Sequence, residues 1–308
     1  MTGMIQKLFI GASVAVGVGT MATAPALANG FSVSGSDYYL YDVDGSETYL
    51  NPNAELNQVL QGNSSNPGGN IELFASSESN PNAFYAAPVS ITGEVGGQNL
   101  TLSSLNAVDW FGASMDMSYG ANNLANRWFG EFWNSAISHV SSQGFIGSAA
   151  AGMLASNAQD GYAAFLGAGG FQASSDPNIS YVGVDGEDIN VGLAGHLNLG
   201  NVYGDMLAGL LPANYAWASP YVPMLMDGFQ ASEVVKYSYN GVTDYLFGFE
   251  ATDSNLTERS DGTSHNGNYE VTIAGVVEPA AVPEPSTILG LTAVSGLLAA
   301  TRRKARKA

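Results

Sequence analysis

The feature that most limits how this chain can fold is its pair of charge-free apolar stretches, one near each end, which leave residues 29–282 as the part that must fold in water. Residues 1–7 carry one cation, Lys7, and residues 8–21 are apolar, rich in Gly and Ala, and uncharged. Ala26-Leu27-Ala28 then supplies the small-x-small pattern that a signal peptidase pocket accepts. Residues 1–28 therefore read as a secretory signal peptide cut between Ala28 and Asn29. A retained anchor fits less well, since spanning a bilayer takes about 20 consecutive apolar residues.

At the other end, Val282-Pro283-Glu284-Pro285-Ser286 leads into the apolar run 287–300, followed by Arg302, Arg303, Lys304, Arg306 and Lys307. The run is short for a spanning helix, but the basic cluster would hold its last turn at a cytoplasmic face. A stiff Pro-rich motif, an apolar helix and a basic cluster, in that order, resemble the PEP-CTERM sorting domain of Gram-negative bacteria, cyanobacteria among them. The resemblance covers residues 281–308. It implies recognition by an exosortase, a membrane enzyme that would cut near Pro283-Glu284-Pro285, and membrane attachment through the C-terminal helix before that cut. It also implies a place at the cell envelope, cell surface or extracellular matrix of an exopolysaccharide-producing bacterium. Such a tail is an address, and no activity is carried over from it.

Removing both ends changes the charge balance. Of the 27 acidic residues only Glu284 lies outside 29–282, and of the 9 basic ones only Arg127, Lys236 and Arg259 lie inside, so this segment carries −23. A surface of that sign repels nucleic acid and anionic lipid and favours cations or basic partners, which excludes nucleic-acid binding. With no cysteine, neither disulfides nor thiolate metal sites are available, and packing must hold the domain together. Its length suffices for a sizeable core. Abundant Gly, Asn and Ser suggest loops, while 10% aromatic content argues against disorder.

The pattern along 29–280 predicts one α+β domain, β-rich at both flanks with a central helical block. Strands are expected at 36–41, 48–50, 71–74, 84–92 and 99–102, with Asp42-Val43-Asp44-Gly45 as a turn between the first two. From Asn122 onward apolar pairs recur every four residues, Leu124/Ala125, Trp128/Phe129, Phe132/Trp133 and Ala136/Ile137, which defines one wide face of a helix with Asn122 or Asn123 as N-cap. A second helix is expected over 145–166, with Gly147, Ala151 and Ala155 on a close-packing stripe and Gly169-Gly170 as its end. Strands resume at 179–184 and 189–193. Strands are expected at 233–239 and 242–250, joined by Asn240-Gly241, which permits the positive φ angles of a type I′ hairpin. A final strand is expected over 267–277.

No motif specifies a reaction. His139, His196 and His265 are far apart and outside any metal-binding spacing, and neither a Gly-x-Ser-x-Gly elbow nor a phosphate loop occurs. The chain thus reads as non-enzymatic, with no cofactor required. Two acidic turns, Asp42-Val43-Asp44-Gly45-Ser46-Glu47 and Asp185-Gly186-Glu187-Asp188, offer oxygen ligands for calcium, with Asp42, Asp44, Glu47, Asp185, Glu187 and Asp188 as the candidates. An EF-hand is ruled out, because alignment on Gly45 would place Leu40 and Asn51 where acidic ligands are needed. Tyr215, Trp217 and Tyr221, in a segment punctuated by Pro212, Pro220 and Pro223, are candidates for stacking on sugars; Trp128 and Trp133 belong to the helix's apolar stripe and to the core.

The expected function is therefore that of an exported surface or matrix protein interacting with exopolysaccharide or envelope components. Two alternatives are a carbohydrate-active hydrolase using paired carboxylates and a calcium-dependent structural or adhesion protein. A hydrolase needs a concave pocket where two carboxylates converge, a binder needs a shallow aromatic platform, and a structural component needs neither.

Overall fold

A computed structural model describes residues 29–77, 79–201, 208, 217 and 219–275. The signal segment before Asn29, Tyr215, the sorting motif, the apolar helix and the basic cluster lie outside the described residues. In chain order, β1 (Asn29–Ser34), β2 (Tyr38–Asp44) and β3 (Glu47–Leu50) precede a helical turn, α1 (Leu56–Val59). Two short strands, β4 (Gly62–Asn63) and β5 (Asn66–Pro67), lead to β6 (Gly69–Leu73), β7 (Ser90–Val95) and β8 (Gln98–Ser103). The helical block holds α2 (Ala107–Phe111), α3 (Leu124–Ser141), α4 (Gly144–Ser156), α5 (Ala158–Gly167) and α6 (Gly170–Ala173). After it come β9 (Asn178–Asp185), β10 (Asp188–Gly195), the turn α7 (Val222–Leu225), β11 (Val235–Tyr239), β12 (Val242–Leu246), β13 (Thr252–Asp253), β14 (Thr257–Glu258) and β15 (Gly267–Ile273). The fold is α+β.

Among the described residues two large sheets form, one in the order β1-β7-β8-β11-β12 and one in the order β13-β15-β10-β9-β6-β2-β3-β14, beside a two-stranded β4-β5 ribbon. Alternation along their strands gives each sheet an apolar face. Ile91, Val95, Leu100 and Leu102 of the first share a core with Ile71, Ile179, Val191 and Leu193 of the second. The helical block has its own core, built on the α3 stripe, where Trp128, Phe129 and Phe132 meet Trp110 of α2 and Phe171 of α6. The Asn123 side chain caps α3 by accepting from the Asn126 amide at 3.0 Å, satisfying one of the donors a helix start leaves open. Among the described residues no helix is long and apolar enough to cross a membrane.

Several expectations shift. Asp42 to Asp44 belong to β2, and the hairpin turns at Gly45-Ser46, because Asp42 and Val43 pair with Tyr49 and Thr48 of β3. The predicted strand at 84–92 begins only at Ser90; Pro81–Tyr85 forms a 3-10 turn capped by the Asn80 side chain, with a proline at its start. The predicted helix 145–166 is two helices, broken at Asn157, whose own side chain donates to the Met153 carbonyl at 2.6 Å and so competes with the helical ladder. On its stripe Gly147 abuts the Val140 carbonyl and Ala151 is buried, but Ala155 is exposed. The 240–241 turn has φ of 49° at Asn240 and 78° at Gly241, the pair that a type I′ hairpin requires. The strand after it stops at Leu246.

Candidate functional site

Functional geometry gathers where the eight-stranded sheet ends against the helical block. Residues 230–234 carry the chain into β11 and are pinned on two sides. Ser232 N donates to the Gly248 carbonyl at 2.8 Å, Gly248 N donates back to Ser232 Oγ at 2.8 Å, and Val234 N donates to the Ser174 carbonyl at 3.0 Å. That leaves one direction for Glu233, whose Oε2 accepts from the Asn178 amide at 3.0 Å. Asn178 opens β9 beside Glu72 of β6. Asp176, buried just before β9, accepts from Ser77 Oγ. Tyr41 donates to Glu72 Oε2 at 3.1 Å.

Three carboxyl groups, Glu233, Asp176 and Glu72, are thereby set close enough to interact. Arg127 pairs with Asp244, Lys236 with Asp109, and Arg259 with Asp44 and Glu47. Burial first, then Asp176, then Glu72 push the Glu233 carboxyl well above the ordinary carboxylate range, and the Asn178 hydrogen bonds only partly oppose this. Glu233 therefore tends to keep a proton where exposed glutamates have lost theirs.

Glu233 borders a cavity of about 130 Å³ walled by the rings of Trp128, Phe132, Phe165 and Phe229, with His196 on its rim. Gly170 forms one wall, since a Cβ there would strike the Phe165 ring. The rim is tied to the sheet by Tyr269, whose hydroxyl donates to the His196 carbonyl at 2.7 Å. This is a concave, mostly aromatic pocket in which Glu233 is the one carboxylate among the lining residues.

A second feature lies on the other side of the Ser232–Gly248 pair. An open groove of about 620 Å³ runs between α3 and β15, with Tyr245, Phe247 and Phe249 along it and the exposed carboxylates Glu131, Glu250 and Glu270 at its sides. Phe247 and Phe249 meet edge to face with centroids 5.8 Å apart. Arg127 lies 5.9 Å over the Tyr245 ring and bonds Asp244 at 3.1 Å. Burial, then Asp109, raise the Tyr245 hydroxyl to about 12, so it stays a donor. Glu270 is oriented by Tyr181, which donates to its Oε2 at 2.5 Å. Among the described residues β15 has strand partners on this edge only at Gly267 and Asn268. The groove is a shallow aromatic platform with acidic walls.

The residues singled out from sequence fall elsewhere. Asp42 accepts from Val43 N at 2.9 Å and from Asn51 Nδ2 at 3.2 Å. Asp44 and Glu47 are each held by Arg259 at 2.8 Å. Asp188 accepts from Gly275 N at 2.6 Å; with Asp185 and Glu187 it sits at the same end of the sheet as Asp44, because β2 and β9 are both antiparallel to β6 between them. Among the described residues no three His, Asp or Glu side chains come together as a metal site. Trp217 is 61% and Tyr221 44% exposed, and neither lines the cavity or the groove. His265 is buried with Nδ1 2.7 Å from Thr48 Oγ1. Trp128 is buried, while Trp133 is half-buried and donates to the Leu154 carbonyl at 3.1 Å.

Sequence reasoning missed Glu233, Asp176 and the groove. Only the alternation Tyr245, Phe247, Phe249 carried a signal, and it was absorbed into a strand. No family model, curated protein or solved structure matches this chain. Its function must therefore be argued from these sites.

Proposed function

We propose that this protein is exported, sorted through its C-terminal tail by an exosortase, and works at the cell surface or in the extracellular matrix as a non-enzymatic binder of extracellular polysaccharide. The observation that carries the binding reading is the groove along Tyr245, Phe247 and Phe249. Flat rings beside carboxylates suit a sugar chain, whose C–H faces rest on the rings while its hydroxyls donate to Glu250 and Glu270. Charge selects among glycans: at −23 over 29–282, the domain repels uronic-acid polymers and accepts neutral or amino-sugar ones. The export reading rests on the sequence of segments 1–28 and 281–308, which lie outside the described residues.

Affinity electrophoresis through gels containing a neutral glucan, chitosan or alginate tests this. Retardation is expected with the first two and not with alginate. Phe249→Ala, checked by circular dichroism for an intact fold, should weaken retention about tenfold, which is about 1.4 kcal/mol. Unchanged retention in that variant, or none in the wild type, would overturn it.

A further inference from the structure

We propose, resting on the glycan reading of the groove, that the chain it takes is an N-acetylated hexosamine polymer, and that the free edge of β15 recognises the acetamido groups as it would the amides of a neighbouring strand.

The edge follows from the register. β15 pairs with β10 without a shift from Gly267 to Ile273. On its other side, among the described residues, β13 pairs with Asn268 and Gly267 alone, and Ser254 N donates to the Asn266 carbonyl at 3.0 Å. In an antiparallel ladder the residues that bond to a given neighbour recur at every second position. Asn266 and Asn268 therefore turn their backbone N–H and C=O groups towards β13, and Glu270 and Thr272 turn theirs the same way where β13 is no longer present. The chain leading into β13 is drawn off that edge. Ala251 N donates to Gln230 Oε1 at 2.8 Å and Gly248 N to Ser232 Oγ at 2.8 Å. Gly248 instead lies over the side chains of β15, since a Cβ on it would stand 3.6 Å from Val271 Cγ1 and 3.7 Å from Tyr269 Cβ. The result is a wedge that opens into the groove, lined by Glu270 and Thr272 as well as by Phe247 and Phe249.

The wedge asks two things of a ligand. Its edge N–H groups need an acceptor, and the carboxylates Glu131, Glu250 and Glu270 along the groove need donors. A uronic acid brings acceptors but meets the repulsion of a domain at −23. An ammonium sugar group donates only. An acetamido group is neutral and has the chemistry of a peptide group, with N–H and C=O held trans in one plane. Its carbonyl accepts from the Glu270 or Thr272 N–H, and its own N–H, pointing the other way, is left for a groove carboxylate. A peptide strand would pair with the same edge, but its backbone has no donors to spare for the three carboxylates, whereas each sugar brings hydroxyls to them.

The test is isothermal titration calorimetry of the purified full chain, in a polyoxyethylene detergent, with chitotetraose, its fully de-N-acetylated form, cellotetraose and a capped threonine-glycine hexapeptide. Chitotetraose should bind about tenfold more tightly than cellotetraose, the gain that two further hydrogen bonds of ordinary net strength bring. Hydrogen exchange across 267–273 should slow with chitotetraose and not with cellotetraose. Thr272→Pro removes an N–H that β10 does not use, a change tolerated at a sheet edge; it should bring chitotetraose down to the level of cellotetraose and leave the latter unchanged. Equal binding of the two tetrasaccharides would overturn the acetamido inference and leave the glycan reading standing, while binding of neither would overturn both. The inference would also fall if the de-N-acetylated form at about 0.5 M salt, where charge is screened, or the hexapeptide bound as tightly as chitotetraose. Unaltered exchange at 267–273 would overturn it whether or not the proline variant folds.

Discussion

His265 makes the acid side of this protein's stability a quantitative test of the fold. It is 6% exposed, its Nδ1 lies 2.7 Å from Thr48 Oγ1, and its ring meets the edge of Tyr41 at 4.8 Å. Burial is the first cause that lowers its pKa, to about 4 from an ordinary 6.5, against a partial pull upward from Asp261. Between those values the unfolded chain binds a proton that the folded chain does not, so stability falls as pH drops from 6.5 towards 4 and is fully present above 6.5. At about 1.4 kcal/mol per pH unit, the loss reaches about 2–3 kcal/mol by pH 4.5. Glu233 acts in the opposite sense: with its folded pKa raised, it adds stability as pH falls from that raised value towards 4.5. The wild-type profile is the difference of the two, and His265→Asn isolates one of them. Asn suits this position because φ is 62°, a left-handed conformation that Asn tolerates better than most residues. Urea unfolding of both proteins at pH 7.5 and 4.5, extrapolated linearly to water, should show the gap between wild type and variant shrinking by about 2–3 kcal/mol at the lower pH. A gap that stays constant would refute the assignment of His265 as a buried, neutral histidine.

Trp128→Ala should cost about 3–5 kcal/mol, seen as a large drop in melting temperature, since Trp128 is 1% exposed; an unchanged melt would place it outside the core. Deleting residues 302–307 should leave export intact and block sorting, read by fractionation of cells and medium, and normal sorting of the truncated chain would sink the exosortase proposal. Calcium is expected to shift the melt of the domain by less than about 2 °C, because Arg259 already holds Asp44 and Glu47. A filled site at a hundredfold excess over its dissociation constant adds about 2.7 kcal/mol, or roughly 5–11 °C for a domain of this size, and a shift of that order would make the acidic turns an ion site.

Elements whose signal is local were legible in the sequence. The α3 stripe stood out because its apolar pairs repeat with the helical period, and the Asn240-Gly241 hairpin because two adjacent residues must both take positive φ. Boundaries failed where a side chain or a distant strand outvoted local pattern. Asn157 broke a helix that its Ala-rich neighbours favour, and pairing with β3 drew Asp42 and Asp44 into a strand although Asp and Gly suggest a turn. The cavity was illegible for a different reason. Glu233, Asp176 and Glu72 are brought together by tertiary folding alone, and each looks in sequence like any other acid of a very acidic chain. Trp217 and Tyr221, both exposed, line neither the cavity nor the groove.

The pairing of the strands also has a kinetic side. β11 pairs with β8 through Lys236 and Ser103, β14 with β3 through Glu258 and Thr48, and β15 with β10 through Ile273 and Ile189. Each sheet therefore joins early strands to late ones, the arrangement that makes folding slow because long loops must close before the contacts that reward them. Neither sheet can be completed until the last third of the chain is available. For a protein exported as proposed here, that delay keeps the chain threadable: its N-terminal strands can cross a membrane first and wait on the far side, without their long-range partners, until β15 arrives to close the larger sheet.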